Sequence, residues 1–196
     1  MWAAEALLQS AVTWVLAIGA VAGPAMAGGY RIAAKLAKAA ARPVQMATAI
    51  LYPELARLTA NGEAAVLGRV MRRTLRLSAM LAVLLVAVTT LGGSSLIWLL
   101  AGRSYEFASL FLAILGLAAA LELSGFALAP LLTAHGRPTR VLVIRIVGAV
   151  AYAIALAALL PSAGTAGAAA AAVLSALVVR IGLGREVRKI LRPPAQ

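Results

Sequence analysis

The fold of this chain is decided by residues 146–179, IVGAVAYAIALAALLPSAGTAGAAAAAVLSALVV, a run of 34 positions without a charged side chain. A transmembrane helix needs roughly 20 predominantly apolar residues, so this run is long enough for nearly two crossings. Its middle contains Pro161-Ser162-Ala163-Gly164, a combination that is typical of a turn. The stretch therefore predicts two consecutive membrane helices, near 141–160 and 165–184.

The composition of the whole chain also indicates a membrane protein. Of the 196 residues, 63% are hydrophobic and 12% charged, whereas a soluble domain is about half apolar and a quarter charged. The mean hydropathy of +0.98 excludes intrinsic disorder, and it argues against a nucleic-acid partner in spite of the formal net charge of +12. The sequence has no cysteine, which excludes disulfides, thiolate metal sites and cysteine nucleophiles.

The sequence predicts four further membrane spans. Three have the length and the apolarity of clear spans, namely 6–28, 77–101 and 107–134. A fourth segment, 31–56, is rich in Ala and Leu but carries four basic residues, so hydropathy alone does not identify it as a span. Together with the first two spans, these segments predict an all-α polytopic membrane protein. Its six-helix lobe covers 1–184, and a basic tail covers 185–196.

The basic residues outside 31–42 fall mainly into three clusters, within 57–76, 137–145 and 185–192. Short loops with little charge alternate with the basic segments along the chain, and Gly28-Gly29 is the first of them. Positive residues near membrane helices are retained on the cytoplasmic side. All three clusters share one side only if 31–56 crosses the membrane. The pattern therefore favours six spans with both termini in the cytoplasm.

Residues 62–76 have the pattern of an amphipathic helix, for which Asn61 is the expected N-cap. One face of this helix carries four arginines at positions i, i+3, i+4 and i+7. These arginines are Arg69, Arg72, Arg73 and Arg76, and the opposite face carries Leu67, Val70, Met71 and Thr74. We expect the helix to lie in the membrane interface, where its arginines anchor it to anionic headgroups of membrane lipids.

A second basic stripe lies inside the predicted second span. Its members, at positions i, i+4, i+7 and i+11, are Arg31, Lys35, Lys38 and Arg42. Charges near the bilayer centre are costly, so the stripe is expected to line a water-filled cavity that binds a phosphate or pyrophosphate. The alternative is that 30–42 forms a surface helix on anionic lipid, and that the true span starts near Pro43.

One carboxylate, Glu122, lies deep inside a clear span. An intramembrane acid is a functional candidate, either as a coupling site or as a partner for a basic residue of the stripe. Catalytic signatures are missing, because the chain has one His, no Asp and no glycine loop of the Walker type. We therefore predict no enzyme activity, no metal site and no cofactor.

Several short stretches resemble, in order, the polysaccharide-export or O-antigen flippases of the multidrug/oligosaccharidyl-lipid/polysaccharide exporter superfamily. These stretches are AGGYRIAAKL at 27–36, LYPELARL at 51–58, the basic connector up to Arg76, LAGRSYEFA at 100–108, LTAHGR at 132–137 and GTAGAA at 164–169. The resemblance covers nearly the whole chain. It extends, however, only to the C-terminal lobe of these two-lobe, MATE-like transporters.

The resemblance implies a flippase, or half of one, in the bacterial inner membrane. Such a protein moves an oligosaccharide on polyprenyl (pyro)phosphate across the membrane by alternating access around a cationic cavity. The basic stripe at 31–42 matches the cavity-facing positions of the family. The other lobe is then missing from this chain, encoded separately or replaced by a second copy. The alternatives are a multidrug/cation antiporter lobe and a non-transporting scaffold subunit for envelope synthesis.

Overall fold

The computed structural model describes residues 23–102, 105 and 107–191, and their side chains except those of 40–50, 64, 101 and 191. These residues form helices and no strands, which confirms an all-helical fold for this part of the chain. The helices are α1 (Pro24–Ala60), α2 (Ala64–Leu91), α3 (Gly93–Ala101), α4 (Ala108–Ser124), α5 (Leu128–Ala134) and α6 (Pro138–Leu191). Most of the predicted span 6–28 and the last five residues of the tail lie outside the described residues.

The first helix corrects two predictions about helix ends. Gly23 has φ 88° and Pro24 occupies the first turn, so α1 begins there and runs through Gly28 and Gly29 without a loop. Proline at the first helical position is favourable, whereas glycine inside a helix costs only about 1 kcal/mol. At the other end, Asn61 is the C-cap of α1 and not the N-cap of the next helix, which follows Glu63.

The second helix is also longer than predicted. The sequence suggested a separate interfacial helix over 62–76, but α2 continues through Arg76 and Leu77 to Leu91, because no Gly or Pro interrupts the chain there. Glycines break the predicted spans elsewhere. Gly92 separates α2 from α3 within 77–101, and Gly125 ends α4 within 107–134.

Three helical segments are long and apolar enough to cross a membrane, namely Ala65–Leu91, Ala108–Ala134 and Pro138–Ile190. The third contains Gly164 with φ 56° and ψ −136°, within the tetrapeptide for which the sequence predicts a turn. The helix folds back at this residue into two arms, 138–163 and 165–191. The Ser175 hydroxyl of the second arm donates a hydrogen bond of 2.8 Å to the Gly148 carbonyl of the first. Residues 31–56 in α1 are not among these segments, so the six-span count stays a prediction.

The bundle is organised around α4, which packs against α1, α2 and α6. One core cluster joins the early part of α1 to α4 and to the residues around the turn of α6, with Ala33, Leu112 and Ala168 at its centre. A second cluster joins the end of α1, the start of α2, the helix α5 and the end of α6. Val187 belongs to this second cluster, so the predicted tail begins as part of the packed helix.

The second cluster brings most of the basic residues to one end of the bundle, which we call the basic end. Arg57 lies in the last turn of α1, and the four arginines of 69–76 lie on the first half of α2. Arg137 and Arg140, at the start of α6, lie close enough to Glu186 near its end to act on that carboxylate electrostatically. Residues far apart in the sequence therefore share this end.

Candidate functional site

The basic stripe of α1 lies beside the buried face of the same helix. Tyr30, Ala33 and Ala37 are buried in the core, whereas Arg31, Lys35 and Lys38 are exposed. Successive residues of a helix are 100° apart, so a shift of one position moves a side chain from the core to the edge of the packed face. Arg42 continues the stripe along the helix, and its side chain lies outside the described part of the structure.

Glu122 projects from α4 into the same region. It is exposed on a helix whose other faces are largely buried against α1, α2 and α6. The cations that act on its carboxylate are Lys38 of α1 and Arg145 of α6. The ion pairs found within the described residues lie elsewhere, and they join Glu54 to Arg57 and Glu186 to Lys189. Glu122 therefore lies near two cations from different helices without a direct ion pair.

A pair of tyrosines, of which Tyr30 is buried and Tyr152 half-buried, aligns the two helices that carry these cations. The Tyr30 and Tyr152 side chains form a hydrogen bond between α1 and the first arm of α6. Lys38 follows Tyr30 by eight residues, or about 12 Å of helix, and Arg145 precedes Tyr152 by seven residues, or about 10 Å. Lys38 and Arg145 therefore lie at similar levels along the bundle. We call Arg31, Lys35, Lys38 and Arg145, together with Glu122, the cationic face.

The sequence predicted part of this face. Helical periodicity alone brought the α1 residues together, and the intramembrane position of Glu122 marked it as a candidate partner of the stripe. The sequence places Arg145 only in the basic cluster 137–145, because nothing in its own neighbourhood distinguishes it from Arg137 and Arg140. Its place opposite Lys38 depends on the packing of α1 and α6 around α4.

A second polar contact that the sequence did not predict stabilises the break between α4 and α5. Arg180, from the second arm of α6, donates its Nε hydrogen to the Ser124 hydroxyl at 3.1 Å. Its side chain crosses Gly125 so closely that a Cβ at this position would lie 2.6 Å from the Arg180 Cδ. A cation near the carbonyl end of a helix is favourable, so Arg180 stabilises the point where α4 stops.

The four arginines predicted to bind lipid share an exposed face of α2. Leu67 is 5% exposed and Met71 is 1% exposed, so the predicted apolar side of the helix is buried. The arginines border an open groove of about 370 Å³ together with Leu77. Their helix, however, is not a separate segment lying flat in the interface, since it continues into a candidate membrane span.

Within the described residues, no group of three or more His, Asp or Glu side chains is arranged to hold a metal ion. Comparisons with protein-family models, curated proteins and solved structures give no match to this chain. The cationic face and the apolar helices that carry it are therefore the features of this chain that bear on function.

Proposed function

We propose that this chain is one lobe of a flippase in the bacterial inner membrane. Its substrate is an oligosaccharide linked to polyprenyl (pyro)phosphate, a precursor of cell-envelope polysaccharide. The observation that carries the proposal is the cationic face, where Lys38 and Arg145 approach one carboxylate from two different helices. Four cations with a single acid on an apolar bundle suit an anionic, lipid-linked substrate better than an organic cation.

The arrangement suggests how the phosphate is held. Arginine donates paired hydrogen bonds to phosphate oxygens, and lysine supplies a compact positive charge. Because Lys38 and Arg145 lie on separate helices, a diphosphate between them would draw α1 and the first arm of α6 together. Alternating access moves one lobe against the other around a single site, so a second wall would close over a diphosphate held here and release it by moving away.

The distribution of charge supports an orientation with both termini in the cytoplasm. The basic end collects arginines from α1, α2 and both arms of α6, and such clusters are retained on the cytoplasmic side. A closed pathway also needs a second wall around the exposed stripe. We propose that an N-terminal lobe or a second copy of this chain supplies that wall.

Binding of a polyprenyl diphosphate by the purified chain in phosphatidylcholine nanodiscs tests the proposal. Charge-assisted hydrogen bonds are strong, so we expect Lys38→Ala combined with Arg145→Ala to weaken binding at least about tenfold. The control, Arg137→Ala with Arg140→Ala, removes the same charge from the same helix bundle and should change the affinity less than about threefold. Equal affinity of the wild type and the Lys38/Arg145 variant would refute the assignment.

Export in cells provides the second test. Lys38→Ala with Arg42→Ala should abolish export of the polysaccharide precursor while the protein still inserts into the membrane. Unchanged export would contradict the flippase proposal. Sensitivity of cells to organic cations after Glu122→Gln, with normal export, would instead favour the antiporter.

A further inference from the structure

Helix α2, which carries the four arginines of 69–76, is longer than the hydrocarbon core of a membrane is thick. Helix α2 runs from Ala64 to Leu91 over 28 residues without interruption. At 1.5 Å per residue it is about 42 Å long, against about 30 Å for the hydrocarbon core. After the arginines, the 25 residues 77–101 of α2 and α3 carry no charge, and they exceed the roughly 20 residues that a crossing needs. With this apolar stretch in the core, the arginine end lies at the level of the lipid phosphates.

The arginines form a ladder along this end. From Arg69 to Arg76 the helix rises about 10 Å, which is comparable to the depth of a headgroup layer. All four arginines are exposed, and Leu67 and Met71 on the opposite side are buried in the core. Burial of that side prevents the helix from turning its arginines inward. The ladder is thus held facing outward from the bundle.

The protein supplies no carboxylate to this ladder within the described residues. The ion pairs found there involve Arg57 and Lys189, at other places on the basic end. Glu63, the nearest acid along the chain, accepts a hydrogen bond of 3.1 Å from the Asn61 side chain. Four neighbouring guanidinium groups without an acid attract an external anion.

The same face of the helix becomes apolar just beyond the arginines. At 100° per residue, the side chains that continue the face are Met80, Val83 and Leu84. Their exposed fractions are 69%, 70% and 58%. One continuous strip of α2 is therefore cationic at the headgroup level and apolar over the next turns. A cationic part followed by an apolar part matches the headgroup and the acyl chain of a phospholipid. A free phosphate ion would contact only the arginines.

We propose that this strip of α2 is a binding site for an anionic glycerophospholipid. The phosphate lies among Arg72, Arg73 and Arg76, and an acyl chain lies along Met80, Val83 and Leu84. The site is separate from the cationic face, because it is carried by a different helix and faces outward from the bundle. It goes beyond the proposed transport and does not depend on the substrate carried.

Native mass spectrometry of the full chain, with mixed phosphatidylglycerol and phosphatidylcholine, tests this site. The wild type should retain phosphatidylglycerol in preference to phosphatidylcholine. Arg72→Gln with Arg73→Gln should weaken that retention about 30-fold, because each basic residue near the membrane surface contributes about a fivefold factor in affinity. Arg185→Gln with Arg188→Gln is the matched control, since it removes the same charge from the basic end. It should leave retention within about twofold.

Two further measurements separate a lipid from other anions. Val83→Ser with Leu84→Ser should weaken phosphatidylglycerol binding while all the arginines remain, and excess inorganic phosphate should not displace the lipid. Displacement by inorganic phosphate or by an acidic peptide would overturn the proposal, and so would equal losses in the arginine variant and its control. Circular dichroism of each variant checks that its helix content is unchanged.

Discussion

Close packing of the two arms of α6 provides a quantitative test of the fold. Gly148 faces the second arm, where a Cβ built on it would overlap the Val179 side chain. The Gly148 carbonyl also accepts the hydrogen bond of 2.8 Å from the Ser175 hydroxyl. Gly148→Ala therefore forces the arms apart at the point where a hydrogen bond joins them.

The expected cost follows from these two contacts. Overpacking a well-packed core by a methyl group costs about 1–3 kcal/mol, and an interhelical hydrogen bond in a membrane protein contributes about 0.6 kcal/mol on average. Replacing Gly by Ala inside a helix stabilises the helix by up to about 1 kcal/mol through its higher helix propensity. We expect Gly148→Ala to lower the free energy of unfolding by about 1–3 kcal/mol.

Gly68 in α2 provides the matched control, because a Cβ built there has nothing within 4 Å. Gly68→Ala should keep the propensity gain and leave stability unchanged or up to about 1 kcal/mol higher. Val179→Ala should partly restore a Gly148→Ala protein, since it removes the methyl groups with which the new Cβ collides. Denaturant unfolding in detergent micelles, followed by circular dichroism, measures all four proteins. Equal stability of Gly148→Ala and Gly68→Ala would refute the packing of the arms.

Four other substitutions test two contacts and one turn by the same unfolding measurement. Arg180→Ala and Ser124→Ala should each destabilise the protein by about 1 kcal/mol, and the double variant should lose less than the sum of the two, because both single variants remove the same Arg180–Ser124 hydrogen bond; additive losses would contradict that bond. Tyr30→Phe should cost about 1 kcal/mol through loss of the hydrogen bond to Tyr152, and an unchanged midpoint would argue against the alignment of α1 and α6. Gly164→Ala should cost about 1–3 kcal/mol from backbone strain alone, since φ 56° with ψ −136° is a conformation that essentially only glycine adopts and a Cβ there has open space; wild-type stability would exclude this turn conformation.

Two helix boundaries differ from those that the sequence predicts. Gly28 and Gly29 suggested a loop, yet an isolated glycine pair costs little in a helix compared with the Gly23-Pro24 break nearby. The change from basic to apolar composition after Arg76 suggested a helix end. Composition does not break hydrogen bonds between turns, so α2 continues to the next glycine that ends it, Gly92. Basic or apolar composition indicates whether a helical segment lies in water or in lipid. Glycine and proline determine where the helix ends.

By itself, the sequence determined the helical class, the apolar segments and the basic faces of α1 and α2. These properties are local, because they depend on composition and on a period of 3.6 residues within one helix. Only the tertiary structure decided that Arg145 joins Lys38 and Glu122, and that Arg180 meets Ser124. These partners lie far apart along the chain. Their contacts depend on which helices pack around α4 and at what level, and side-chain packing between helices sets both.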